Sequence, residues 1–150
     1  MKTMRMLLVG AMALGLTAVA NAQPAAHAAG STTIGLRHTS LGEILVAPNG
    51  RTLYEFSRDK TNVEACQRVK GCTAVWPPLT TSGGVKAGRG VNARLLGTVR
   101  LKNGSHQVTY AGHPLYTYVA DSGPGETEYV GEDQSGGFWY ALNAHGGTVR

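Results

Sequence analysis

The chain has 150 residues, 21 of them glycine, with 15% charged residues and a formal net charge of +5. That length is one domain's worth, and no stretch beyond the N-terminal run is apolar enough to cross a bilayer. The basic excess is mild and lacks the dense Lys/Arg stripe that nucleic-acid binding needs, which excludes that class of partner.

MKTMR is a basic start, and MLLVGAMALGLTAVA is an apolar run ending in small residues. Ala20-Asn21-Ala22 and Ala26-His27-Ala28 both fit the A-x-A pattern of a cleavage site. Residues 1–22 therefore read as a secretory signal peptide, with cleavage after 22 or alternatively after 28. Residues 23–39 read as a flexible tail. Without Lys2 and Arg5, twelve basic residues face nine acidic ones, a net charge of +3. Lys86, Arg89, Arg94, Arg100 and Lys102 crowd the middle of the chain. Asp121, Glu126, Glu128, Glu132 and Asp133 crowd a later stretch. Both groups read as solvated loops.

From residue 40 to 146, strand-like runs bounded by turn residues dominate, as in EILVAPNGRTLYEF, TVRLKNGSHQVTYAGHPLYTYV and GGFWYALN. Asn49-Gly50 and Asn103-Gly104 predict two-residue hairpin turns of type I′, whose geometry needs positive φ at both central residues. Helix is confined to single turns near Cys72–Trp76 and Asn92–Leu96. The expected class is mostly β: two tandem antiparallel hairpin or meander repeats, packed as one small sandwich- or barrel-like domain.

YEFSRD at 54–59 and YTYVAD at 116–121 write the same pattern twice, 62 residues apart. At that offset Gly42, Val46, Gly50, Leu53, Tyr54 and Asp59 meet Gly104, Val108, Gly112, Leu115, Tyr116 and Asp121, and Phe56 meets Tyr118. Six identities in eighteen aligned positions exceed the roughly one that ordinary composition supplies. At an offset of 63, Trp76 meets Trp139. The chain therefore reads as repeat 1 (42–79), a connector (80–98) and repeat 2 (99–146).

A strand–turn–strand ending in Tyr-x-aromatic-x-x-Asp, a Cys pair and then Trp-Pro-Pro, with the unit duplicated, resembles a family of bacterial secreted repeats of unknown function. Its members are predicted lipoproteins with a conserved Yx(FWY)xxD motif. The residues carrying the resemblance are Tyr54, Phe56, Asp59, Cys66, Cys72, Trp76-Pro77-Pro78, Tyr116, Tyr118 and Asp121, and the match covers about residues 40 to 145. The resemblance implies an envelope or secreted location and no established activity. Lipid-anchored members need a Cys at the cleavage site. The first Cys here is Cys66, so a soluble exported form, periplasmic or extracellular, is expected.

A two-residue turn at Asn49-Gly50 places Val46 opposite Leu53, and Leu45 opposite Tyr54 and on the face of Tyr54 and Phe56. With a second turn at Ala111-Gly112, Val108 and Leu115 repeat the aliphatic face, while Tyr116 and Tyr118 lie with Gln107 and Thr109. The aliphatic face reads as core. The aromatic face is either a second buried side or a platform for something flat. Asp59 and Asp121 open turn-rich stretches, where a carboxylate commonly accepts backbone N–H bonds. Trp76 and Trp139 read as core anchors, because large aromatics supply much of a small core's burial.

Cys66 and Cys72, the two cysteines of an exported chain, are expected to pair as a structural disulfide. Their spacing is neither a C-x-x-C redox pair nor half of a Cys₄ zinc site. His106 and His113 share one face of the second hairpin, but the register sets them roughly 13 Å apart, too far to share an ion. No G-x-S-x-G elbow, H-E-x-x-H or phosphate loop occurs. The expectation is a non-catalytic envelope or secreted module, structural or protein-interacting, with no cofactor. A small-ligand, metal or haem module built on the aromatic/Asp faces is the alternative.

Overall fold

The computed structural model describes residues 30–150; the signal peptide and cleavage sites expected from the sequence lie outside the described residues. In chain order the strands are β1 Thr32–Thr39, β2 Gly42–Val46, β3 Tyr54–Phe56, β4 Thr80–Thr81 and β5 Val85–Ala87. They continue as β6 Leu96–Arg100, β7 His106–Tyr110, β8 His113–Pro114, β9 Glu132–Gln134, β10 Gly137–Leu142 and β11 Thr148–Val149. Among the described residues, helix is limited to α1 (Cys72–Val75) and 3-10 turns at Cys66–Arg68 and Ala93–Leu95. The fold is mostly β, as the turn-punctuated sequence implies.

The strands form three sheets rather than a closed barrel: β2-β1-β5, β11-β10-β3 with β9 on β10, and β4-β7-β6 with β8 on β7. The hairpin β1–β2 is followed by the bridge Val46↔Thr52, and the hairpin β6–β7 by its pairing with β8. This matched order is the duplicated unit in three dimensions. The aliphatic core gathers Ile34, Leu45 and Leu53 of the first unit with Val108, Leu115 and Leu142 of the second.

Residues 32–39 are not tail. They form β1, which pairs with β2 on one side and runs parallel to β5 on the other, Thr32 opposite Val85. The β-branched run Thr32-Thr33-Ile34 and the alternation Ile34/Leu36 are ordinary strand signals. Residues 80–98 likewise do more than connect, since β4, β5 and the start of β6 lie within them.

The Asn-Gly turns differ from the type I′ expectation. Ala47 N–H donates to Arg51 O at 2.8 Å and Gly50 N–H to Ala47 O at 2.8 Å, enclosing a three-residue loop. Leu101–Ser105 repeats it, with bonds of 2.8 and 2.9 Å. Gly50 and Gly104 take positive φ, whereas Asn49 and Asn103 do not. Each Asn side chain accepts the N–H two residues on, at 3.1 and 3.0 Å, and this fixes the longer loop. The extra residue slips the register by one, which exchanges faces. Val46 lies opposite Thr52 rather than Leu53, Leu45 joins the aliphatic core, and Val46 packs with Ile44 and Ala141. The two-residue turn is Ala111-Gly112, with φ of 50° and 83° and Tyr110 opposite His113.

Cys66 and Cys72 form the disulfide, joining the first 3-10 turn to α1. Closing so short a ring restricts the unfolded chain by about 2–2.5 kcal/mol. A Cys66→Ser/Cys72→Ser variant should lose about that much stability in urea unfolding. Alkylation of the folded protein without reductant should label neither thiol.

Candidate functional site

The duplicated motif forms one junction. Tyr54 N–H donates to Tyr116 O at 2.9 Å, and Tyr116 N–H to Tyr54 O at 2.9 Å. The Tyr54 hydroxyl donates to the Asp121 carboxyl at 3.1 Å, and the Tyr116 hydroxyl to Asp59 Oδ1 at 3.3 Å. Each repeat's tyrosine thus meets the other repeat's aspartate. Such reciprocity is the mark of an isologous contact, with an approximate two-fold axis between Tyr54 and Tyr116.

The rings obey the same symmetry. Tyr54 stands edge-on to Trp76 and Tyr116 edge-on to Trp139, both with centroids 5.1 Å apart. Trp76 and Trp139 stack at 4.0 Å, and each carries the other repeat's motif aromatic on its outer face, Tyr118 and Phe56, both at 4.2 Å. The two indole N–H groups share one residue, donating to Gln134 Oε1 at 2.6 Å and Gln134 O at 3.0 Å. Tyr54, Phe56, Trp76, Tyr116 and Trp139 are buried, and Tyr118 is half-buried against Tyr129. A flat guest would need roughly 7 Å between its neighbours, twice the carbon contact distance of about 3.5 Å. The tryptophan stack leaves no such gap.

Of the two aspartates, Asp59 binds its own turn as expected and Asp121 does not. Asp59 Oδ1 accepts Ala65 N–H at 2.6 Å, while Asp121 is held by the Tyr54 hydroxyl. Burial raises both carboxyls, Asp59 to about 7 and Asp121 to about 6. Asp59 Oδ2 and Gln107 Oε1 are buried acceptors without a donor among the described residues, so a proton on Asp59 would relieve a local shortage of donors.

Both aspartates bind a proton more readily folded than unfolded. Their stabilising protonation is complete below the ordinary carboxylate value of 3.8 and is lost as pH rises through about 6 to 7. His113, raised chiefly by its hydrogen bond to Glu55, adds a loss of the same sign as it deprotonates. Glu126, lowered by the Ser122 N–H, acts oppositely, but only at the acid end. Melting temperature should therefore fall from mildly acidic to neutral pH, and Asp59→Asn should flatten the slope. An unchanged slope in that variant would contradict the assignment.

Sequence reasoning missed one cluster. Glu55, the middle residue of β3 between Tyr54 and Phe56 of the first motif, is buried, and its Oε2 lies 2.5 Å from His113 Nδ1. The Thr148 hydroxyl donates to Glu55 Oε1 at 2.5 Å. The only sequence clue is an acidic residue where a strand flanked by buried aromatics would carry an apolar or neutral one. His113 also lines a cavity of about 350 Å³ with Asp59, Lys60, Thr61, Ala111 and Gly112. A second cleft of about 370 Å³ lies between β1, the end of β2 and the Pro48–Gly50 loop, with Arg37 as its one charged side chain. His106 sits four residues along from Tyr110, the partner of His113, and does not join it. Among the described residues, no three His, Cys, Asp or Glu side chains gather as metal ligands.

No curated protein and no solved structure matches the chain. Among the described residues, no helix is long and apolar enough to cross a membrane. A family model described as "secreted repeat of unknown function" matches twice, over residues 35–80 and again over 97–143. The two matches fall on the two structural units, each holding one Tyr-x-aromatic-x-x-Asp motif and one tryptophan of the central stack. The chain belongs to this family of secreted repeats.

Proposed function

We propose that this is a non-catalytic exported module of the cell envelope or its surroundings, acting as a structural or protein-interaction unit. The observation that carries the reading is the reciprocal junction. Tyr, aromatic and Asp of both motifs engage each other, and the central stack leaves no gap for a flat ligand or haem, Tyr118 alone of these rings being half-buried rather than buried. A single catalytic site needs distinct groups in asymmetric roles, whereas these recur at two-fold-related positions. The secreted family and the disulfide support export to an oxidising compartment. The absence of a cysteine near either cleavage motif supports a form without a lipid anchor.

Native mass spectrometry of protein purified from its host tests the reading. The expected species starts at Gln23 or Ala29 and carries no group bound in the aromatic core. A bound haem or flat cofactor, lost in Tyr118→Ala without any change in melting, would overturn it.

A further inference from the structure

Charge divides the chain as sharply as the repeats do. Between Ala65 and Ala120 no Asp or Glu occurs, while seven Lys and Arg stand there. Residues 30–64 and 121–150 hold five Lys and Arg against all nine Asp and Glu. The seven cations are exposed, and none makes an ion pair among the described residues. In sequence each is an ordinary solvated loop residue, but the fold gathers them.

Four of them meet at one end of the sheet β4-β7-β6. Arg100 closes the edge strand β6 opposite His106 of β7, and its Nη2 lies 3.8 Å from where a Cβ on Gly104 would stand. Lys102 belongs to the turn between these strands. Its N–H donates to Gln67 Oε1 at 3.4 Å, which sets Arg68 and Lys70 of the disulfide loop beside the hairpin. β5, with Lys86, runs against β6. The carboxylates hydrogen-bonded to residues 65–71 are those of Glu64, which accepts Gln67 N–H at 2.9 Å, and Asp59, which turns inward to Ala65 N–H and the Tyr116 hydroxyl. With both counted as ionised, Arg68, Lys70, Arg100 and Lys102 still leave positive charge in excess.

Neither the cleft at Pro48–Gly50 nor the cavity at Asp59–Thr61 is lined by these cations, which form an open array on turns. The exposed large apolar side chains Leu41, Val63, Val119 and Phe138 lie off the β6–β7 hairpin and off residues 66–71. The array therefore lacks the apolar centre on which a protein interface is built. We propose that it docks the exported protein against an anionic phospholipid surface, with lipid phosphates facing Arg68, Lys70, Arg100 and Lys102. A bilayer spreads its negative charge laterally and meets an open array without needing a pocket. Each Lys or Arg brought to such a surface strengthens partitioning about fivefold. The acid-bearing segments are repelled, so the array also sets the orientation of the molecule. Docking of this kind requires export but no particular role for the motif tyrosines.

The test is co-sedimentation of the mature protein at low salt with vesicles of phosphatidylcholine and phosphatidylglycerol, and with vesicles of phosphatidylcholine alone. Binding is expected to the first and not to the second. Raising ionic strength from about 0.01 M to about 1 M shortens the screening length from about 30 Å to about 3 Å and should release the protein. Arg100→Gln and Lys102→Gln should each weaken binding about fivefold, and together about 25-fold. Arg58→Gln removes the same charge beside Ser135, in the acid-bearing part, and should leave binding nearly unchanged. The three side chains are exposed, and urea unfolding checks that each variant keeps its fold. No binding at low salt, equal binding to the neutral vesicles, undiminished binding by the folded double variant, or an equal loss in Arg58→Gln would overturn the proposal. Salt-sensitive self-association without vesicles, abolished by Lys102→Gln, would overturn it too by assigning the array to the acid-bearing part of a second copy.

Discussion

Trp139→Ala should cost about 3–5 kcal/mol and lower Tm by at least about 10 °C, the largest loss expected of any single change. Trp139 is fully buried on β10, the central strand of its sheet. Its indole stacks on Trp76 and Phe56 and meets the edge of Tyr116, so truncation strips contacts from both repeats at once. The cavity would face rigid rings held by backbone pairing, which collapse poorly around a void, and this places the cost toward the upper end of the range. Trp76→Ala should behave alike, because the symmetry gives it equivalent neighbours. Urea unfolding measures both, and a loss below about 1 kcal/mol in either would remove the stack from the account of stability.

Tyr116→Ala should cost nearly as much, again about 3–5 kcal/mol. Tyr116→Phe separates the ring from the hydroxyl. It keeps the edge contact with Trp139 and removes the bond to Asp59, so a loss of about 1 kcal/mol is expected. The stability of Tyr116→Phe should also show a changed pH dependence, because Asp59 loses a donor to its charged form. Equal losses in the two variants would mean that the ring itself contributes little.

Much of this architecture was legible in the residues. The 62-residue recurrence of Tyr, aromatic and Asp marks a duplicated β unit because identical positions in two copies must satisfy the same local packing. Cys66 and Cys72 fix their own pairing by being the chain's two cysteines. Pairing across the repeats was not legible. A motif read within one copy assigns Asp59 and Asp121 to their own turns, which holds for Asp59 and its bond from Ala65 N–H, whereas the two-fold arrangement also gives each aspartate the other copy's tyrosine. The register after Asn49 was hidden for a local reason: Asn-Gly serves two-residue and three-residue loops alike, and the Asn side-chain bond to Arg51 decides between them. The strand at 32–39 was obscured by its place beside a signal-like run, although its own residues are β formers. Glu55 and His113 lie 58 positions apart and meet only because β3 and β8 are brought together by the junction.

Each motif tyrosine is held by the aspartate of the other repeat and not by that of its own. A pair of double-mutant cycles tests it: Tyr54→Phe with Asp121→Ala, and Tyr54→Phe with Asp59→Ala, each followed by urea unfolding. The cross-repeat pair should show a coupling energy of about 0.5–3 kcal/mol, while the same-repeat pair should be additive within about 0.5 kcal/mol. Coupling confined to Tyr54 and Asp59, or additivity in both cycles, would contradict the reciprocal junction.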